Sequence, residues 1–293
     1  MVIDNAKRAM KILIGITSRN RCAVLPKAIE SALSQTYGDK HVVIFDDAST
    51  DGTKLLKENF TAVEWILSGE QKGLMYARNL FLTLHDAVYF CSLDDDAWFL
   101  DANTLLDAVQ YMDRNEDVAA LAFDILSPDD HNRVQKENII TETNNYIGCG
   151  HLLRIRPVLE AGGYFTTPGY YGSEEKDLCI RLMNNGYKIM KSSGWQVWHD
   201  KTSISRNIKA QHESGVCNDL VFMWRRTPLL LLLPALFSKF YKHLAFSATY
   251  ENEKLLLPCL NGMKRFFRFL FTFKTGRKAV SLSTFKKYIR LNQ

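Results

Sequence analysis

At 293 residues, 46% hydrophobic and 24% charged with only 7 prolines, the chain can bury a substantial core, which excludes a disordered or low-complexity protein. The net charge of +5 hides an asymmetry: residues 1–200 hold 20 Lys+Arg against 28 Asp+Glu, and residues 201–293 hold 17 against 4. The six cysteines form no CxxC pair, which argues against a zinc ribbon or disulfide framework and reads as reduced core thiols of a cytoplasmic protein.

Residues 1–10 are polar and lack an apolar h-region, so no secretory signal is expected. Residues 12–16 (ILIGI) read as a short buried strand ending at Thr17-Ser18. Leu25, Ala28, Ile29, Ala32 and Leu33 then recur at helical spacing. A second strand, residues 41–45 (HVVIF), runs into the turn-rich DDASTDGT of residues 46–53, and a helix is predicted over 54–60. Residues 63–67 (VEWIL) make a third strand, and Gly73 opens a helix over 75–84. The fourth strand, residues 87–93 (AVYFCSL), stops abruptly at Asp94-Asp95-Asp96. A helix is predicted over 100–112 and a fifth strand over 119–125. Strands alternating with helices imply an α/β fold with a mainly parallel central sheet covered on both faces. In such sheets ligands bind beyond the carboxyl ends of the strands, where this chain puts three polar clusters.

The triple carboxylate 94–96 repels itself at the edge of a core, which favours a compensating cation. Oxygen ligands suit Mg²⁺ or Mn²⁺, which commonly complete their shell with phosphate. The plainer alternative is an acidic helix start favoured by the dipole. Asp46 and Asp47 fit turn chemistry, or acceptance of a nucleobase N–H. Glu174 and Glu175 open a helix backed by Leu178, Ile180 and Leu182. They are either first-turn acids or a general base beside an acceptor alcohol. His199 follows the apolar WQVW of residues 195–198 and is a structural histidine or a nitrogen ligand joining the aspartates. No GxGxxG, P-loop or GxSxG occurs, which disfavours dinucleotide oxidoreductases, P-loop NTPases and α/β-hydrolases.

Taken in order, these pieces resemble the family 2 glycosyltransferases, inverting enzymes of the GT-A fold. The resemblance covers residues 11–200 and rests on six segments. They are 14–21 (IGITSRNR), 25–37 (LPKAIESALSQTY), 45–53 (FDDASTDGT), Gly73 with Ala77-Arg78-Asn79, 93–96 (LDDD), and GGYF at 162–165 with EEKDL at 174–178, Arg181 and Gly186-Tyr187. It implies transfer of a sugar from a nucleoside diphosphate, a UDP-sugar favoured, to a glycan or lipid-linked acceptor. Thr17, Asp46, Asp47, Asp94 and Asp95 would serve the nucleotide, and Arg78 would lie near the base or diphosphate. Arg19, also on the nucleotide side, stands where an aromatic is common, which alters the nucleotide contacts the resemblance implies. Asp94 and Asp96, or Asp95 in place of Asp96, would hold Mn²⁺ or Mg²⁺, with His199 a further ligand. Glu175 falls where the family has its catalytic Asp and is the first choice of general base, with Glu174 the alternative. The implied catalytic domain spans 1–213, with a nucleotide-sugar half over 11–125 and an acceptor half over 126–213.

Residues 214–293 read as a helical extension. The apolar run 228–237 is shorter than the ~20 residues a spanning helix needs. The KRFFRFLF of 264–271 suits a helix lying in a membrane interface, or else ordinary packing on the catalytic domain. No motif for reading nucleic acid is present, so no nucleic-acid partner is expected. The expected location is the cytoplasm, at the inner face of the membrane.

Overall fold

The computed structural model describes residues 10–130, 137–201, 207–250, 254–272 and 276–291. The N-terminal residues 1–9, read above as polar, lie outside the described residues, as does part of the basic tail at 273–275. The chain forms two compact units, each discontinuous in sequence. Unit 1 comprises Met1–Thr141, Ile147–Glu160 and Met190–Lys201, and unit 2 comprises Glu142–Tyr146, Ala161–Ile189 and Thr202–Gln293.

Unit 1 begins β1 (Met10–Ser18), α1 (Leu25–Leu33), β2 (Lys40–Asp46), a 3-10 turn (Thr53–Glu58), β3 (Glu64–Leu67), α2 (Leu74–Leu84) and β4 (Ala87–Asp94). It continues β5 (Ala97–Phe99), α3 (Thr104–Arg114), β6 (Val118–Leu126), β7 (Ile140–Thr143), β8 (Gly150–Arg154) and α4 (Ile155–Glu160). After α5 (Glu174–Asn184) of unit 2, β9 (Lys188–His199) completes the sheet. The strand order is β3-β2-β1-β4-β8-β6-β9-β5, with β7 paired to β9. The expected parallel pairing holds from β3 through β4. Beyond it β8 is antiparallel to β4 and β6, and β5 to β9, so the sheet is mixed.

β1 is central, and its Ile12, Leu13, Ile14 and Ile16 are wholly buried. Each such side chain contributes about 1.5–3 kcal/mol over an exposed one. The apolar stripe of α1, Leu25, Ala28, Ile29 and Ala32, is buried as its spacing requires.

Two local expectations need correction. The helix predicted from residue 100 starts at Thr104, because residues 97–99 extend to pair with β9. The Asp101 carboxylate then accepts from the Asn103 amide at 2.6 Å, turning the chain before the helix. The helix predicted over 54–60 is a 3-10 turn, with Asp51 accepting from the Thr53 amide at its start.

Unit 2 gathers α5 with α6 (Ile208–Arg226), α7 (Leu229–Thr249), α8 (Leu256–Thr272) and α9 (Leu282–Arg290). Val216, Cys217, Leu220 and Val221 of α6 pack with Cys259, Met263, Phe266 and Phe269 of α8. Gly262 permits that approach, since a Cβ there would sit 2.5 Å from the Glu213 carbonyl oxygen. The apolar run judged too short to span is only the first half of α7. The full 21-residue helix is long and apolar enough to cross a membrane by length and composition, and its most apolar window is unburied. Lys239 and His243 interrupt the run in sequence, but both turn to Asp219 on α6, at 2.9 and 3.3 Å. An exposed stripe remains, including Leu233 at 78% and Phe237 at 75%.

Candidate active site

Parallel register sets the first part of the site. Thr17 pairs with Asp94 on β4, and Ser18 with Asp46 on β2, so three strand ends finish level at one edge. The loops beyond them are laced together. The Asn20 amide donates to Ser49 Oγ at 2.9 Å, the Arg21 amide to Thr53 Oγ1 at 3.0 Å, and the Cys22 amide to Asp51 at 3.1 Å. Burial opposes ionisation of Asp51, yet the Thr53 hydroxyl and the Thr53 and Cys22 amides outweigh it and hold its pKa at about 2.

Asp46 and Asp47 are both buried. Asp47 accepts from the amides of Lys72 at 2.6 Å and Gly73 at 3.0 Å, which fixes the entry to α2. Gly73 sits there at φ +86°, a left-handed conformation that L side chains rarely adopt. Asp46 keeps Oδ1 buried without a hydrogen-bond partner among the described residues. A buried carboxylate oxygen in that state is suited to a donor from outside the protein.

The acidic cluster is built by pairings that no local pattern announces. Ala97 of β5 pairs with His199 of β9, which brings His199 Nε2 to 3.1 Å from Asp96 Oδ1. The Asp200 amide also donates to the Asp96 carbonyl at 2.9 Å, and Asp96 is only 3% exposed. Ligand atoms of Asp94, Cys149 and His199 lie within 4.8 Å of one another. Burial pushes the Cys149 thiol well up, and Asp94 and Asp96 reinforce it, so the thiol is protonated beside the carboxylates. Burial likewise raises Asp95 to about 7, with Arg21, 3.7 Å away, pulling against Asp96 and Asp94. Arg78 is buried under the cluster, donating to the Gly148 carbonyl at 3.0 Å and standing 3.9 Å from Asp94. Arg19 is exposed. His199 thus stands within reach of the Asp94 and Asp96 carboxylates, and oxygen donors with one imidazole suit a divalent cation such as Mn²⁺ or Mg²⁺.

Sequence reading missed Cys149 and Arg21. The first sits inside GCGH at 148–151, and only β8 pairing with β4 brings that segment to Asp94. The second reaches Asp95 through the loop lacing just described.

In unit 2, Glu174 and Glu175 open α5 behind Ser173, which holds a left-handed φ of +71° and donates to Asp219. Glu174 is buried and Glu175 is half-buried. Burial raises the Tyr146 hydroxyl well above its usual value, and Tyr164, Cys179 and the Glu175 carboxylate add to this. Tyr146 and Tyr164 share a hydrogen bond at 2.9 Å, and the Glu175 carboxylate is near enough to act on the Tyr146 hydroxyl. Asp177 faces elsewhere: Arg226 grips it at 2.5 Å and Arg181 at 2.9 Å. The last Asp of EEKDL is thus a structural anion.

The mixed sheet with carboxylates at its strand ends is that of a GT-A glycosyltransferase fold. The chain belongs to glycosyl transferase family 2, whose model matches residues 13–169, more than half of its length. Chondroitin synthase from Escherichia coli is 34% identical over 93 residues, a match covering 31% of this chain and 14% of that protein. S. aureus TarS 1–349 in complex with UDP-GlcNAc superposes with a TM-score of 0.64 at 17% identity, over 88% of this chain and 81% of that one. Mannosyltransferase PcManGT from Pyrobaculum calidifontis, in complex with GDP-Man and Mn²⁺, gives 0.60 at 16% identity over 96% and 79%.

Proposed function

We propose that this chain transfers a sugar, with inversion, from a nucleoside diphosphate sugar to an acceptor hydroxyl in the synthesis of a cell-surface polysaccharide, lipopolysaccharide or similar glycan. The observation that carries this reading is that His199 stands within ligand distance of both Asp94 and Asp96, with Cys149 beside Asp94, next to the level ends of β1, β2 and β4. The donor's nucleoside would meet Thr17, Asp46 and Asp47. A UDP-sugar is favoured, in keeping with the UDP-GlcNAc held by TarS. Asp94, Asp96 and His199 would hold Mn²⁺ or Mg²⁺, which when bound neutralises charge on the leaving diphosphate. Arg78, held by the Gly148 carbonyl at 3.9 Å from Asp94, would lie near the base or diphosphate.

On the acceptor side, Glu175 takes the hydroxyl proton as the oxygen attacks, and a single displacement inverts the anomeric carbon. A cavity of about 320 Å³ in unit 2, lined by Tyr171, Ser173, Lys176, Asp219, His243 and Tyr250 among others, borders the start of α5. Its lining, mostly apolar with Ile208, Val216, Phe246 and Leu255 and with Lys176 and Asp219 as charged groups, supports a glycan or lipid-linked acceptor there. The exposed apolar stripe of α7, with Lys264 and Arg268 exposed on α8, supports attachment to the inner face of the cytoplasmic membrane.

The test is nucleoside diphosphate release from a panel of donors with Mn²⁺ and with chelator. Glu175→Gln should lower kcat by about 10²–10⁴-fold and leave donor binding within about twofold. Transfer near the wild-type rate by this variant would remove Glu175 from the role; pyrophosphate as product would point to nucleotidyl transfer instead.

A further inference from the structure

We propose that His41, Glu64 and His85 form a second divalent-cation site, of the zinc class, at the amino-terminal edge of the sheet, separate from the donor site. His41 is the second residue of β2, Glu64 opens β3, and His85 ends α2 just before β4. Glu64 Oε2 lies 2.7 Å from His41 Nε2 and 2.8 Å from His85 Nε2. The two rings stand edge to face, 86° apart with centroids 5.1 Å apart. Two imidazoles from separate segments thus aim the same nitrogen at one carboxylate oxygen.

Two imidazoles and a carboxylate are the donor set of zinc and similar borderline ions, whereas Mg²⁺ prefers oxygen alone. Without an ion, each Nε2–H donates to Oε2. An ion takes the place of those two protons. Tetrahedral bonds of about 2.0–2.1 Å set donor atoms about 3.3 Å apart, so the trio opens by about half an ångström to admit it. The three side chains are 32–33% exposed, which leaves the fourth position to water.

The location decides the role. β4 runs from Ala87 to Asp94, so at ~3.3 Å per residue the trio lies roughly 25 Å from the acidic cluster. An ion there takes no part in sugar transfer. It ties the short edge strand β3 to β2 and to the junction of α2 and β4, bracing a margin that otherwise ends in four residues.

The full chain, freed of metal with chelator and dialysed, is titrated with ZnCl₂ and followed by melting temperature, with wild type, Asp96→Asn, His41→Gln and His85→Gln in parallel. Zinc should raise the melting temperature of wild type and of Asp96→Asn alike. Losing an outer-shell partner costs about 10–100-fold in affinity, so each His→Gln variant should bind zinc at least about tenfold more weakly. Cobalt should give tetrahedral visible absorption in wild type and Asp96→Asn and lose it in both histidine variants. A zinc shift absent from wild type, or unchanged in the histidine variants, would overturn the proposal. If a histidine variant fails to fold, cobalt absorption of wild type against His199→Gln, which takes the imidazole out of the acidic cluster, still decides whether a site outside that cluster exists.

Discussion

Asp177→Asn should cost about 3–5 kcal/mol of stability, because it strips the charge from a buried anion that holds two cations. Asp177 is 2% exposed, and its carboxylate accepts from Arg226 Nε at 2.5 Å, Arg226 Nη2 at 3.1 Å and Arg181 Nε at 2.9 Å. Arg226 is itself 3% exposed, so water cannot take over the lost charge. Both guanidinium groups keep other partners: Arg226 donates to the Lys278 carbonyl, and Arg181 to those of Ala161 and Gly163. Those bonds move the expected cost towards the lower end of the range. The control is Glu160→Gln. It breaks a pair whose side chains are 89% and 50% exposed, and should cost within about 0.5 kcal/mol. Urea unfolding of the full chain, followed by tryptophan fluorescence, gives both midpoints. If Asp177→Asn cost no more than Glu160→Gln, the assignment of the EEKDL aspartate as a structural anion would be wrong.

Two further outcomes follow from the geometry. Asp51, held at about 2 against an ordinary 3.8, contributes stability that is complete above pH ~4 and lost as pH falls through 2. Its partial exposure reduces the value to about 1–2 kcal/mol, and Asp51→Asn should remove that acid-side slope from a pH series of melting temperatures. Phe237→Glu, placing a charge on the exposed stripe of α7, should lower co-flotation with anionic vesicles by at least about tenfold without changing the melting temperature. Unchanged flotation would detach the membrane role from α7.

The parts of the site legible in the sequence are those where a local pattern is interrupted by chemistry. The apolar runs of β1, β2 and β4 each stop at hydroxyls or carboxylates, and parallel pairing then levels those stops at one edge. The rest depends on distant partners. Ala97–Phe99 is three residues long and reads as a strand only because β9, a hundred residues on, pairs with it. That same pairing, invisible in periodicity, brings His199 to Asp96. Asp177 sits in a recognisable motif, but Arg226, which fixes its role, is 49 residues away on another helix. The length of α7 was hidden because Lys239 breaks the apolar run while turning inward to Asp219.

The central claim is that Asp94, Asp96 and His199 hold a divalent ion that fastens a nucleoside diphosphate. Calorimetric titration of UDP and of GDP into the full chain, with Mn²⁺ and with chelator, for wild type and Asp96→Asn, tests it most directly. Wild type should bind at least one of the two nucleotides at least about tenfold more tightly with Mn²⁺, about 1.4 kcal/mol or more, and Asp96→Asn should lose that gain. Equal affinity with and without Mn²⁺, or a full Mn²⁺ gain in Asp96→Asn, would contradict it.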